Sequence, residues 1–227
     1  MFGRGRHRPR RGGQRVGDLA DAARARQEAA SRPVEGDTDE PEPADGPFDV
    51  EDAPDDDVAR LDLGSIRLPL PDGAQLQVEV DQAGPVRAVH VLTEFGQLTV
   101  GAFAAPRGES LWAEVRAEIV EQLRADGAQV EQPAGQWGRE VHAVTPQVTL
   151  RFVGVDGPRW MLRGVAAAPA ERHPQLVESL YEMLRGTVVV RGSEPQPVRN
   201  PLPLTLPEPM AEQLKQAAAA RQEQQRE

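Results

Sequence analysis

The chain has 227 residues, 4% aromatics, no cysteine and a formal net charge of -10. The missing cysteines exclude disulfides, thiolate metal centres, iron–sulfur clusters and a cysteine nucleophile. The acidic balance argues against bulk nucleic-acid affinity, and no apolar run reaches the roughly 18–20 residues of a membrane span.

Charge is segregated along the chain. Residues 1–34 carry nine Arg against three acids, and residues 35–57 carry twelve acids with no Lys or Arg. The start is basic but lacks the apolar run of a secretory signal, so a cytoplasmic protein is expected. Residues 1–57 bury too little apolar surface to offset ordering entropy, and a disordered arm is expected there.

From Val58 the composition becomes that of a folded domain, expected over residues 58–192. Short strands are expected on either side of the Pro71-Asp72-Gly73 turn. The runs "VRAVHVL" (86–92) and "LTVGAFA" (98–104) predict a hairpin through residues 94–97. Apolar residues in both alternation phases imply strands covered on both faces. Leu111, Trp112, Val115, Ile119, Val120 and Leu123 fall at helical spacing, with Gly127 just past the end. "REVHAV" (139–144) is a strand. A second helix covers about 171–185, with Pro174 in its first turn and Gly186 at its stop. "TVVVRG" (187–192) closes the domain. Strands, helix, strands, helix and strand, joined mainly by hairpins, predict an α+β fold with a mainly antiparallel sheet. An α/β/α sandwich is favoured over two layers.

Residues 193–207 form a Pro-rich extended arm, with Leu202, Leu204 and Leu206 at period 2. The arm is expected to dock on the domain or to recruit a partner. Residues 208–227 are helix-prone.

"VGVDGPRWMLRGV" (153–165) offers Asp156-Gly157 as a turn. A two-residue loop there would need an N–H that Pro158 lacks, and it would mix charged and apolar side chains on each face. An odd loop, 156–158 or 155–159, is the expected alternative. It sets Arg151 directly across from Arg163, like charges that need compensation. Glutamates of a covering helix, solvent or an anion could supply it. Arg151 and Arg163, with Arg159 nearby, are therefore candidate anion-binding residues.

Other chemistry is thinner. His7, His90, His142 and His173 show no metal-ligand spacing, although His90 and His142 are candidate neighbours. Ser110 and Ser179 lack a visible base, and no phosphate loop or nucleophile elbow is present. No catalytic residue, cofactor or metal is therefore expected. Trp137, Leu202, Leu204 and Leu206 are candidate contacts for a protein partner. Arg4, Arg6, Arg8, Arg10, Arg11 and Arg15 are candidate nucleic-acid contacts.

Five segments taken together carry a resemblance: "MFGR", "LDLGSIRLPLPDG", "VHVLTEFGQLTVGAFAAPRGESLWAEVRAEI", "GVDGPRWMLRGVAAAPA" and "RGTVVVRGSEPQPVRNPLPLTLP". The chain resembles an actinobacterial domain-of-unknown-function family, numbered thirty-seven-ten, most clearly over residues 60–214. The resemblance implies a bacterial cytoplasmic protein and no catalytic residues. The element order is also similar to the α/β/α sandwiches of the Mog1/PsbP-like group. The expected function is a non-catalytic interaction or binding module. The alternatives are a nucleic-acid accessory acting through the Arg-rich arm, and an enzyme or binder for an anionic small molecule at Arg151 and Arg163.

Overall fold

A computed structural model of the chain describes residues 46–80, 86–212 and 216. The six arginines at positions 4–15, the acidic stretch up to residue 45 and most of the tail after Glu212 lie outside the described residues. The fold begins earlier than Val58. Strand β1 (Phe48–Asp49) runs parallel to the last strand, and its Asp49 carboxylate accepts the Trp160 indole N–H at 2.7 Å. The acidic run therefore contributes a strand and a buried contact. Composition misses this because two apolar or hydrogen-bonding side chains are enough to dock so short an element.

Chain order is β1, β2 (Arg60–Asp62), β3 (Ile66–Pro69), β4 (Gln75–Val80), β5 (Val86–Leu92), β6 (Gln97–Ala104), α1 (Leu111–Ala125), β7 (Gln129–Glu131), β8 (Ala134–Gly135), β9 (Gly138–Arg139), β10 (Val141–Val144), β11 (Thr149–Gly157), β12 (Trp160–Ala168), α2 (His173–Arg185) and β13 (Val188–Val189). A seven-stranded antiparallel sheet runs β4-β5-β6-β12-β11-β10-β7. A second, four-stranded sheet runs β1-β13-β3-β2. The fold is α+β. The turn at 71–73 links β3 and β4, which belong to different sheets, so it marks a crossing between sheets.

The helices cover opposite faces of the large sheet. In β11 and β12, Gly154 pairs with Arg163 and Val153 pairs with Gly164, so Gly154 and Gly164 point to opposite sides. A Cβ on Gly154 would overlap the Trp112 ring of α1. A Cβ on Gly164 would press on Leu180 and Leu184 of α2. Each glycine thus lets one helix approach the sheet closely. The main core lies on the α2 face, where Leu98, Val100, Leu162 and Ala166 meet Leu176, Leu180 and Leu184 together with Ile66 and Leu68 of the small sheet. Full cover on both faces does not extend to β5 and β6: Leu98, Val100, Ala102 and Ala104 are buried, whereas the odd positions 97–103 are half-buried.

The central hairpin corrects the expected register. The loop is Pro158-Arg159, with Gly157 opposite Trp160 and Arg159 at φ 60. Proline's fixed φ suits the first loop position, and Arg159 supplies the positive φ of the second. Moving the loop two residues downstream removes the missing N–H, because Pro158 no longer closes the turn. Arg151 now pairs with Ala166 and Arg163 with Gly154, on opposite faces.

This register gives Asp156 a task away from the turn. Its carboxylate accepts from Ser110 Oγ at 2.6 Å and from the backbone N–H groups of Leu111 and Trp112, each at 3.0 Å. Ser110 caps α1 in the usual way, accepting from Ala113 N–H. Asp156 adds a second cap from outside the helix, where negative charge is favoured.

The C-terminal arm docks on its own domain. β5 pairs with β6 only at His90–Leu92, which leaves the far half of β6 unpaired on that side. Residues 199–202 fill the gap: Arg199 N–H donates to Ala104 O, Ala104 N–H to Asn200 O, and Leu202 N–H to Ala102 O. Leu202 is buried in the main core, and Leu204 and Leu206 pack against it. Arg199 clips the arm to α1 through Glu114 and Glu118, both at 2.7 Å. The three leucines are thus engaged within the chain, because an unpaired strand edge demands hydrogen bonds and the arm is the nearest donor.

Two substitutions test these contacts by urea denaturation. Asp156→Ala removes acceptors for three donors and should cost about 1–3 kcal/mol; an unchanged midpoint would refute the external cap. Leu202→Ala should cost about 2–5 kcal/mol if the arm belongs to the core. A loss below about 0.5 kcal/mol, the usual size for a surface change, would refute that.

Candidate functional site

An open cleft of about 680 Å³ lies where β10 and β11 meet α2. Strand pairing builds its floor. His142 stands directly opposite Arg151 on one side and Glu131 on the other, so the three side chains form a row on the α2 face. Helix periodicity builds the wall. His173, Val177 and Tyr181 are four residues apart and share one stripe.

Glu140 is the buried hub, only 2% exposed. Its carboxylate accepts the Tyr181 hydroxyl at 2.8 and 2.9 Å and Arg151 Nη1 at 3.2 Å. A Cβ on Gly135 would overlap that carboxylate, so the small residue in "AGQWG" makes its seat. Trp137 meets Tyr181 edge-to-face at 6.0 Å, and its indole N–H donates to Gly46 O at 2.9 Å. It is therefore half-buried and secures the β8-β9 hairpin to the domain.

The two cleft histidines lie 5.2 Å apart between ring centroids. Burial pushes the His173 imidazole down to about 4, with His142 and Arg151 adding to the effect. Burial and Arg151 also lower His142, with Glu131 opposing. Burial raises Glu140, although Tyr181 and Arg151 pull the other way. Burial, then the bond to Glu140, pushes Tyr181 up to about 12. His142 Nδ1, Arg151 Nε and His173 Nε2 are all buried without a hydrogen-bond partner among the described residues.

The three arginines proposed from sequence do not converge. Arg151 lines the cleft. Arg163 is on the opposite face, with its guanidinium 4.7 Å from the centre of the Phe103 ring. That contact is possible because Gly101, directly opposite Arg163, leaves room on the neighbouring strand. Arg159 is in the turn, and its carbonyl accepts from Ala105 N–H and Arg191 Nε. Arg151 is compensated by Glu140, which precedes β10, and not by a glutamate of a covering helix. His90 bonds Thr99 at 2.8 Å on the face opposite His142, with three strands between them, so those two histidines are not neighbours. His173 is the partner of His142 instead. The missed residues had local signals: Glu140 and His142 share a strand parity, and His173 and Tyr181 share a helix stripe.

Fold and cleft together define an α+β domain with a polar cleft between its sheet and one covering helix. The chain belongs to the family described as protein of unknown function (DUF3710), whose model matches residues 46–213. That match begins where the described fold begins. No curated protein matches the chain. Among the described residues, no group of three His, Asp or Glu side chains is placed to hold a metal ion, and no helix is long and apolar enough to cross a membrane.

The buried imidazole predicts a pH dependence. His173 holds its proton less tightly in the fold, at about 4 against an ordinary 6.5, so the unfolded chain is protonated first as pH falls. Its contribution is fully present above pH 6.5 and is lost as pH falls towards 4. The full span is on the order of 3 kcal/mol at most. Urea titrations at pH 7.0 and 4.5 should show a smaller loss in His173→Gln than in the parent chain. Equal losses would remove His173 as the cause.

Proposed function

We propose that this domain is a binding module whose ligand seat is the cleft between β10, β11 and α2. One observation carries the reading: three buried nitrogens from three separate elements, His142 Nδ1, Arg151 Nε and His173 Nε2, belong to side chains lining one cavity and have no protein partner among the described residues. Most buried polar atoms in folded proteins are hydrogen-bonded, and leaving one unpaired costs roughly 1–3 kcal/mol. Of the five such side-chain atoms among the described residues, three belong to the lining of this one cleft. The cleft volume falls within the range of small-molecule sites, and its wall mixes apolar surface with a few convergent polar groups.

Imidazole-detected NMR tests this directly. A mixed fragment library of acids, amides, amines and sugars should contain compounds that shift the His142 and His173 ring resonances while leaving those of His90 in place. Val177→Phe, which fills the cleft from α2, should suppress those shifts. If no fragment moves either ring, or the shifts survive Val177→Phe, the cleft is not the seat.

A further inference from the structure

The unsatisfied side chains that line the cleft point to one ligand class. Arg151 uses Nη1 for Glu140, and the Nε side of the guanidinium carries no hydrogen bond among the described residues. Nε and Nη2 are parallel donors on one planar edge, the arrangement that matches both oxygens of a carboxylate. His173 is 5% exposed, and its Nε2 is buried without a partner. Either imidazole can present an N–H by choice of tautomer.

Charge narrows the class further. Arg151 is the one permanently charged cation among the residues lining the cleft. Burial first, and the Arg151 charge in addition, hold both histidines towards the neutral form. A singly charged group suits such a site. A phosphate dianion would bring a second charge close to Glu140 and Glu131 with no second cation to meet it. The remaining lining is largely apolar, with Pro133, Ala134, Val144, Ala170, Pro174 and Val177 around the polar groups.

We infer that the cleft takes a monocarboxylate with a compact apolar body, its carboxylate beside the Arg151 guanidinium and its body against Val144 and Val177. This rests on the cleft being the ligand seat, and it adds the class of ligand. The carboxylate can belong to a free small acid or to the C-terminus of a peptide, since both present the same group.

Matched pairs test the class in the full chain: butyrate against butyramide, benzoate against benzamide, and a Gly-Val-Val peptide with a free against an amidated C-terminus. Inorganic phosphate is a further arm. Affinities are read from the His142 and His173 ring shifts. At least one acid should bind tenfold or more tightly than its amide, and phosphate should bind more weakly than that acid. The pair that shows the difference identifies the source of the carboxylate. Arg151→Lys keeps the charge beside Glu140 but loses the planar guanidinium, so it should weaken that acid at least tenfold and weaken it more than its amide. Circular dichroism verifies that the variant is folded. Should the variant fail to fold, the matched pairs decide alone. Amides binding as well as acids, phosphate binding more tightly than every acid, or an acid affinity unchanged in folded Arg151→Lys would each overturn the inference. Each of the three would leave the cleft standing as a seat for other ligands. If no probe or library fragment moves either ring, both the inference and the cleft reading fall.

Discussion

Pro158 and Arg159 fix how β11 lies against β12, and that register decides what each face of the large sheet can hold. Side chains alternate strictly along a strand, so a one-residue slip would exchange the faces of one strand. In the register observed, Gly154 lies under Trp112, Gly164 lies under Leu180, and Asp156 reaches the start of α1. Trp160, opposite Gly157, sends its N–H to Asp49 of the first strand. Two helices and the N-terminal strand are therefore positioned from one hairpin.

The same alternation separates the two central arginines, and their environments differ accordingly. Arg151 faces α2 and meets Glu140, a buried carboxylate already bonded to Tyr181. Arg163 faces the other way and stacks on Phe103, where burial lowers its pKa. A buried ion pair is weak evidence for stability, because desolvating two charges offsets much of their attraction. What the Arg151–Glu140 pair does provide is orientation. It holds Nη1 of the guanidinium against Glu140 in the same cleft lining as His142 and His173.

The C-terminal arm shows how an edge is managed. β5 and β6 diverge after three paired residues, and an exposed strand edge would otherwise remain. The arm covers it with backbone hydrogen bonds and inserts Leu202 into the core. Its alternating leucines look identical in sequence whether they serve a partner or their own domain. The deciding factor is the length of unpaired β6, which is a property of the sheet and not of the arm.

The sequence by itself determined the fold class, both helices and most of the strands, because those follow from local periodicity. The apolar spacing of Leu111–Leu123 and Leu176–Leu184 is helical whatever surrounds it, and β5 falls on the residues its β-branched run marked. It also carried Gly186 as a stop in ordinary local chemistry. Tertiary structure alone decided the hairpin register, the earlier start of the domain at β1 and the docking of the arm. It also decided the cleft. Glu140, His142, Arg151, His173 and Tyr181 lie up to 41 residues apart, and only the pairing of β10 with β11 under α2 brings them together. Local patterning reports which face a residue occupies. Which other element lies opposite that face depends on long-range pairing and burial, and no short window of sequence contains that information.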